Sequence, residues 1–160
     1  MTDDQELRPS EPSPTLAETA RRRADLHLAL VAVEKAISSP AGGREPDWSK
    51  DVLRALQDLD HAIVEHIEVT ERPMGLYEEI AQKAPRLTNQ IDRMKEEHPG
   101  LQVTTRELIA RLESGGVGAG WPLPEARDDL QRLLGRLVRH RQLGADLVWD
   151  AYNLDIGGIE

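Results

Sequence analysis

Five histidines stand in this chain of 160 residues, and four of them fall where a packed helix buries its side chains. Val52, Leu56, Leu59 and Ile63 are spaced four and three residues apart, and the series continues through His66 and Thr70. A second series, Ile80, Ala84, Leu87, Ile91 and Met94, reaches His98 and goes on through Leu101, Thr105, Leu108 and Leu112. A third runs Ala126, Leu130, Leu133, Leu137, His140, Gly144, Leu147, Ala151. Near the N-terminus, Ala20, Ala24, His27, Val31 and Glu34 repeat the spacing, flanked by Leu26, Leu30, Val33 and Ile37. His61 lies two residues from both Leu59 and Ile63, and so points outward.

Imidazole supports two chemistries in such a place. It is a common ligand for iron, zinc and copper, and it titrates near neutral pH, where it can move a proton. Each neutral ring has one donor and one acceptor to satisfy. An unmatched buried polar group costs about 1–3 kcal/mol. A metal would occupy one nitrogen of each ring; in a purely structural cluster, Thr70, Glu34 and bound water would take that part.

Other chemistries lack their residues. With no cysteine, thiolate zinc sites, iron–sulfur clusters, disulfides and cysteine nucleophiles are excluded. Carboxylate-rich di-iron bundles use Glu-x-x-His, but Ala24, Ile63, Lys95 and Leu137 stand three residues before the four histidines. HExxH is absent, and the glycines from Gly115 to Gly120 are followed by no GK[ST]. Net charge is −9, and the one dense basic group, Arg21–Arg22–Arg23, adjoins an acidic N-terminus. That is the wrong balance for a nucleic-acid partner.

The elements that must position the histidines are helices. Aromatic residues are 3% of the chain and Phe is absent, while Leu and Ala carry the apolar content, which favours an all-α fold. The spacing predicts an antiparallel four-helix bundle over residues 15–153. A disordered acidic tail is expected at 1–14 and a short C-terminal tail at 154–160. Thr15 and Glu18 have the spacing of a capping box, opening a helix that runs to about Ser38. The next begins near Asp47 and ends before Pro73. A third region extends from Gly75 to Glu113 with Pro85 as a helix-opening residue, and a last helix runs from about Pro124 to Tyr152. Pro99-Gly100 predicts either a kink that opens space beside His98 or a helix end with a restart near Thr104.

Depth sorts the histidines further. His98 lies 16 residues before Ser114 and His140 lies 16 after Pro124, so those two match in height. His27 is 11 residues before Ser38 and His66 is 19 after Asp47. At ~1.5 Å per residue, these two are offset by about 12 Å. One four-histidine site and two separate pairs are both compatible with that spacing.

Histidine-bearing helices in this order resemble the hemerythrin-like (HHE cation-binding) family over about Leu16 to Tyr152. The likeness rests on His27, His66, the Glu97-His98 pair, Arg139-His140, and the segment Thr70-Glu71-Arg72-Pro73-Met74-Gly75-Leu76-Tyr77. The resemblance implies a non-haem metal, iron first, with dioxygen or another small molecule as ligand. Imidazole donors suit zinc or another transition metal as well. The family's carboxylates fall at Thr70 and at Gly144 or Ala145 here, which leaves Glu34, Glu71 and Asp146 as replacements. The candidate metal ligands are therefore His27, His66, His98, His140, Glu34 and Glu71. With few anions to offset two ferrous ions, a mononuclear all-histidine site or a lapsed one is expected ahead of a di-iron centre.

Three functions follow as expectations: metal binding for sensing, storage or small-ligand chemistry; a metal-free helical interaction module; and an enzyme with His66 or His140 as general base. No run of residues is apolar enough to span a membrane, and the N-terminus lacks the pattern of a secretory signal, so a cytoplasmic location is the default expectation. Sixteen arginines against four lysines fit a GC-rich bacterial coding sequence.

Overall fold

The structure, a computed structural model, describes residues 12–153. The protein is all-α. Helix α1 spans Pro14–Ser38, α2 Glu45–Glu71, α3 Leu76–Lys83, α4 Thr88–Glu113 and α5 Leu123–Tyr152, with a single 3-10 turn at Pro85–Leu87. No strand occurs among the described residues, only an isolated bridge between Gly118 and Trp121. No helix among them is long and apolar enough to cross a membrane. Of the two expected tails, residues 1–11 and 154–160 lie outside the described residues.

The helix ends follow local chemistry. Ser13, not Thr15, caps α1: its hydroxyl accepts from the Leu16 amide at 3.1 Å, and Pro14 takes a first-turn position where no amide is needed. Thr15 lies inside the helix, its carbonyl accepting from the Thr19 hydroxyl, and Glu18 pairs with Arg72 across to α2. The expected capping box is therefore replaced by a cap two residues earlier. Helix α2 opens with Pro46 and two acids, Glu45 and Asp47, in its first turn, where the helix dipole favours negative charge. Pro85 opens the 3-10 turn that leads into α4. Helix α4 runs through Pro99 without ending there, so neither a stop nor a restart near Thr104 occurs.

Links between helices join the start of one to the end of another. Arg72, just past α2, binds Glu18 near the start of α1. Arg127, early in α5, donates to the carbonyls of Ile37 and Ser39 at the end of α1. The Val117 amide, past the end of α4, donates to Ser49 in the first turns of α2. Arg111, late in α4, pairs with Asp129, early in α5.

Two apolar clusters fill the interior. The larger holds Leu26, Leu30, Trp48, Leu56, Leu130 and Leu133 among others; the smaller gathers Leu76, Tyr77, Ile80, Ile91, Met94 and Leu147. Each fully buried Leu or Ile contributes about 1.5–3 kcal/mol through removal from water. His98 lies in α4 between Met94 of the smaller cluster and Leu101 of the larger, and His140 in α5 between Leu137 and Leu147. The histidines thus form a polar layer between two apolar ones.

Helix α1 differs from its expected register. Leu26, Leu30, Val33 and Ile37 are buried, while Ala20, Ala24, His27, Val31 and Glu34 face outward. The bulkier set removes more apolar area from water, so it takes the core side.

The corner between α2 and α3 positions one wall of the site. Met74 has a positive φ of 61°, and the next residue is Gly75. A Cβ on Gly75 would sit 2.7 Å from the Arg72 carbonyl oxygen and 2.8 Å from that of Val69. Only glycine permits that approach. The corner holds Glu71 on one side and Tyr77 on the other within reach of His98.

Candidate metal centre

Three imidazoles from three helices converge: His66 from α2, His98 from α4 and His140 from α5. They are 8%, 2% and 1% exposed. One ligating nitrogen from each lies within 4.8 Å of the other two. His98 Nε2 and His140 Nε2 are 3.1 Å apart, and His66 Nε2 is 3.3 Å from His140 Nε2. The ring planes meet at 60° to 83°, so the rings approach edge-on around a common point.

The outward nitrogens of two rings are held by carboxylates. His98 Nδ1 donates to Glu71 Oε2 at 2.7 Å, and His140 Nδ1 donates to Glu97 Oε2 at 2.6 Å. Glu71 is the last residue of α2, and Glu97 precedes His98 on α4, about 100° around the helix, where it faces α5. With the proton on Nδ1, each Nε2 presents a bare lone pair toward the other. Two lone pairs at 3.1 Å repel unless something positive lies between them.

Burial opposes an added, charging proton in that role, which leaves only the single N–H of neutral His66, 3.3 Å from His140 Nε2 when it sits on Nε2. Burial pushes the His66 pKa down to about 3, helped by the neighbouring His98 and His140. Burial also lowers His98, against the opposing pull of its hydrogen bond to Glu71. Tyr77 stacks on His98, with centroids 6.0 Å apart and planes 19° apart, and its hydroxyl lies 3.4 Å from His98 Nε2. Burial raises the tyrosine pKa, so the phenol stays protonated and is a donor toward the cluster.

The remaining candidates lie elsewhere. His27 is exposed, with Nδ1 3.2 Å from Arg141 Nη1, so the four-ring convergence expected from the seams is a three-ring one. Glu34 is exposed on the outer side of α1, because the register of that helix is set by Leu30 and Val33. Glu71 reaches the cluster, but it binds the back of His98 instead of adding an oxygen to the centre. Asp146 is exposed and accepts from Gln142. Thr70 donates its hydroxyl to the His66 carbonyl, one turn back. His61 faces outward, as its spacing implies, and its Nε2 lies 3.3 Å from Glu65 Oε1.

Glu97 is the site residue that spacing did not single out as a partner. Its signal was its place beside His98, on the flank of α4 that meets α5. No protein family, curated protein or solved structure matches this chain. What the residues can do therefore rests on their own geometry.

Proposed function

We propose that this is a hemerythrin-like antiparallel four-helix bundle that binds one transition-metal ion through the Nε2 atoms of His66, His98 and His140. One observation carries the reading: the Glu71 and Glu97 hydrogen bonds fix two Nδ1–H tautomers and so aim bare Nε2 lone pairs at each other 3.1 Å apart. Carboxylate–histidine pairs of this kind orient metal-binding imidazoles and raise their basicity. A cation between the rings turns the repulsion into three donor bonds.

The donor set favours a single ion. Three neutral imidazoles cancel no charge, and Glu71 and Glu97, each about a third exposed, supply negative charge one ring away. All-nitrogen donors suit ferrous iron, zinc or copper; the family resemblance selects iron. Three protein donors leave positions for a small ligand such as dioxygen, which fits sensing, storage or small-ligand binding.

The test is elemental analysis of protein expressed with iron, with thermal unfolding in the presence of iron, zinc or copper. One metal per chain is expected. Stabilisation should be about 3–4 kcal/mol at metal concentrations of 100 to 1,000 times Kd, and His66→Ala or His140→Ala should remove it. Purified protein without metal, together with no rise in Tm on adding any of the three, overturns the proposal and leaves a metal-free helical module.

A further inference from the structure

An oxygen also reaches the histidine cluster. Tyr77 stands in the first turn of α3, just past the Met74–Gly75 corner, and is 3% exposed. Its hydroxyl lies 3.4 Å from His98 Nε2. That exceeds the separation of about 2.7–3.2 Å in a well-formed hydrogen bond to nitrogen. In a tetrahedral metal centre with bonds of about 2.0–2.1 Å, neighbouring donor atoms stand roughly 3.3–3.4 Å apart. His98 to His140 is 3.1 Å, His66 to His140 is 3.3 Å and His98 to Tyr77 is 3.4 Å. These spacings suit the edges of such a centre better than they suit hydrogen bonds, with the phenol oxygen as its fourth corner.

Charge gives a separate reason. The three imidazoles are neutral donors, and a buried cation held by neutral donors alone is costly. Glu71 and Glu97 are engaged at the outward Nδ1 atoms of His98 and His140, one ring away from the cluster. With both carboxylates held there, Tyr77 is the side chain able to set an anionic oxygen beside the Nε2 atoms. Its ring stacks on His98, with planes 19° apart, which fixes where that oxygen lies.

We infer that Tyr77 is a fourth protein ligand of the metal centre, binding through its phenol oxygen and selecting ferric over ferrous iron. The inference rests on the metal reading above and adds to it a donor and an oxidation state. On binding, a metal–oxygen bond replaces the O–H bond and the proton passes to solvent, as for any ionisable ligand. No electron moves in that step. A negative oxygen at bond distance attracts a trivalent ion more strongly than a divalent one, in proportion to charge. Iron takes more than four donors, so a position for a small ligand remains. Tyr152, the other tyrosine of the chain, ends α5 with its hydroxyl on Glu79, so a tyrosine signal from the metal can be assigned.

The test loads the full chain with ferric citrate and reads metal content, visible absorption and resonance Raman scattering. One iron per chain is expected, with an intense tyrosinate-to-iron charge-transfer band. Exciting that band should enhance phenolate ring modes, and these should shift when ring-deuterated tyrosine is incorporated. Tyr77→Phe should lose the band and bind ferric iron at least roughly tenfold more weakly, the low end of what losing even an outer partner costs. Its loss for ferrous iron should be smaller. The isotope shift is read on the unaltered chain, so it stands if the variant fails to fold. One iron per chain without such a band, or a band that survives in Tyr77→Phe, overturns Tyr77 as a ligand and leaves the three-histidine reading intact. Equal losses for the two oxidation states overturn the selectivity. Uptake of zinc without iron overturns this inference alone; uptake of no metal overturns the metal reading and this inference with it.

Discussion

Leu130 and His140 lie on one face of α5, about three turns apart, and are buried alike, at 0% and 1% exposure. Different forces hold them. Leu130 belongs to an apolar layer with Leu56, Leu59 and Leu133, whose side chains need only close packing to be satisfied. His140 belongs to a layer where each ring must place a donor and an acceptor, and where Glu97 on a neighbouring helix accounts for only one of them. The leucines of the apolar layer are complete within the chain, and the one polar atom left over beside them is the buried indole Nε1 of Trp48. The histidine layer leaves lone pairs facing one another and a His66 Nδ1 without a protein partner. A buried layer that packing alone does not complete is where a ligand is expected, and the contrast can be broken from either side.

The largest effect belongs to the apolar layer. Leu130→Ala should cost about 2–5 kcal/mol, since removing a buried leucine side chain forfeits its transfer energy and leaves a cavity. The loss should be the same with metal present or chelated, read as the shift in urea midpoint. A loss that shrinks on adding metal would mean the two layers are coupled.

The histidine layer should respond to acid instead. In the chelated protein His66 is held neutral down to about pH 3, whereas its unfolded value is about 6.5. Below pH 6.5 the unfolded chain binds the extra proton and the folded chain does not, so the contribution is full above pH 6.5 and is lost as pH falls toward 3. For one such ring, the fall between pH 6.5 and 5 is about 2 kcal/mol. Burial lowers His98 in the same direction. Urea midpoints from pH 7.5 to 5 check this: His66→Leu should flatten the decline, and an equally steep decline in that variant would remove His66 as its source.

Between these lies the carboxylate support. Glu97→Gln keeps the shape but weakens the acceptor for His140 Nδ1–H at 2.6 Å. Such outer partners are worth about 10–100-fold in metal affinity. Competition with a chelating dye should register that loss, with thermal stability of the chelated protein changing far less. Unaltered affinity would show that the lone-pair orientation does not depend on Glu97.

Much of this layering was legible in residue order. On α2, α4 and α5 the Leu and Ile spacing left one register, and every position assigned to it is buried except Gly144, which is half-buried. Helix α1 offered two registers one residue apart, and only the weight of Leu26, Leu30, Val33 and Ile37 against two alanines, a histidine, a valine and a glutamate decided between them. Depth held a clue as well. Counted from the helix ends His66, His98 and His140 lie 19, 16 and 16 residues deep, but His27 only 11. The roles of Glu71 and Glu97 were not legible, because each lies off its seam and becomes a partner only once the neighbouring helix is in place.

The smallest expected effect is the sharpest on that point. His27 shares residue type with the cluster and sat on a plausible seam, yet it is exposed and meets only Arg141. If burial and convergence make the centre, His27→Ala should leave metal stoichiometry and affinity unchanged and alter stability by no more than about 0.5 kcal/mol, as for other surface substitutions. Glu34→Ala should behave alike, since that carboxylate also faces away. A tenfold loss of metal affinity in either variant would place α1 in the centre after all and return the site to four helices. With both variants silent and His98→Ala metal-free, the histidines of the centre are confined to α2, α4 and α5, and α1 supplies none of its ligands.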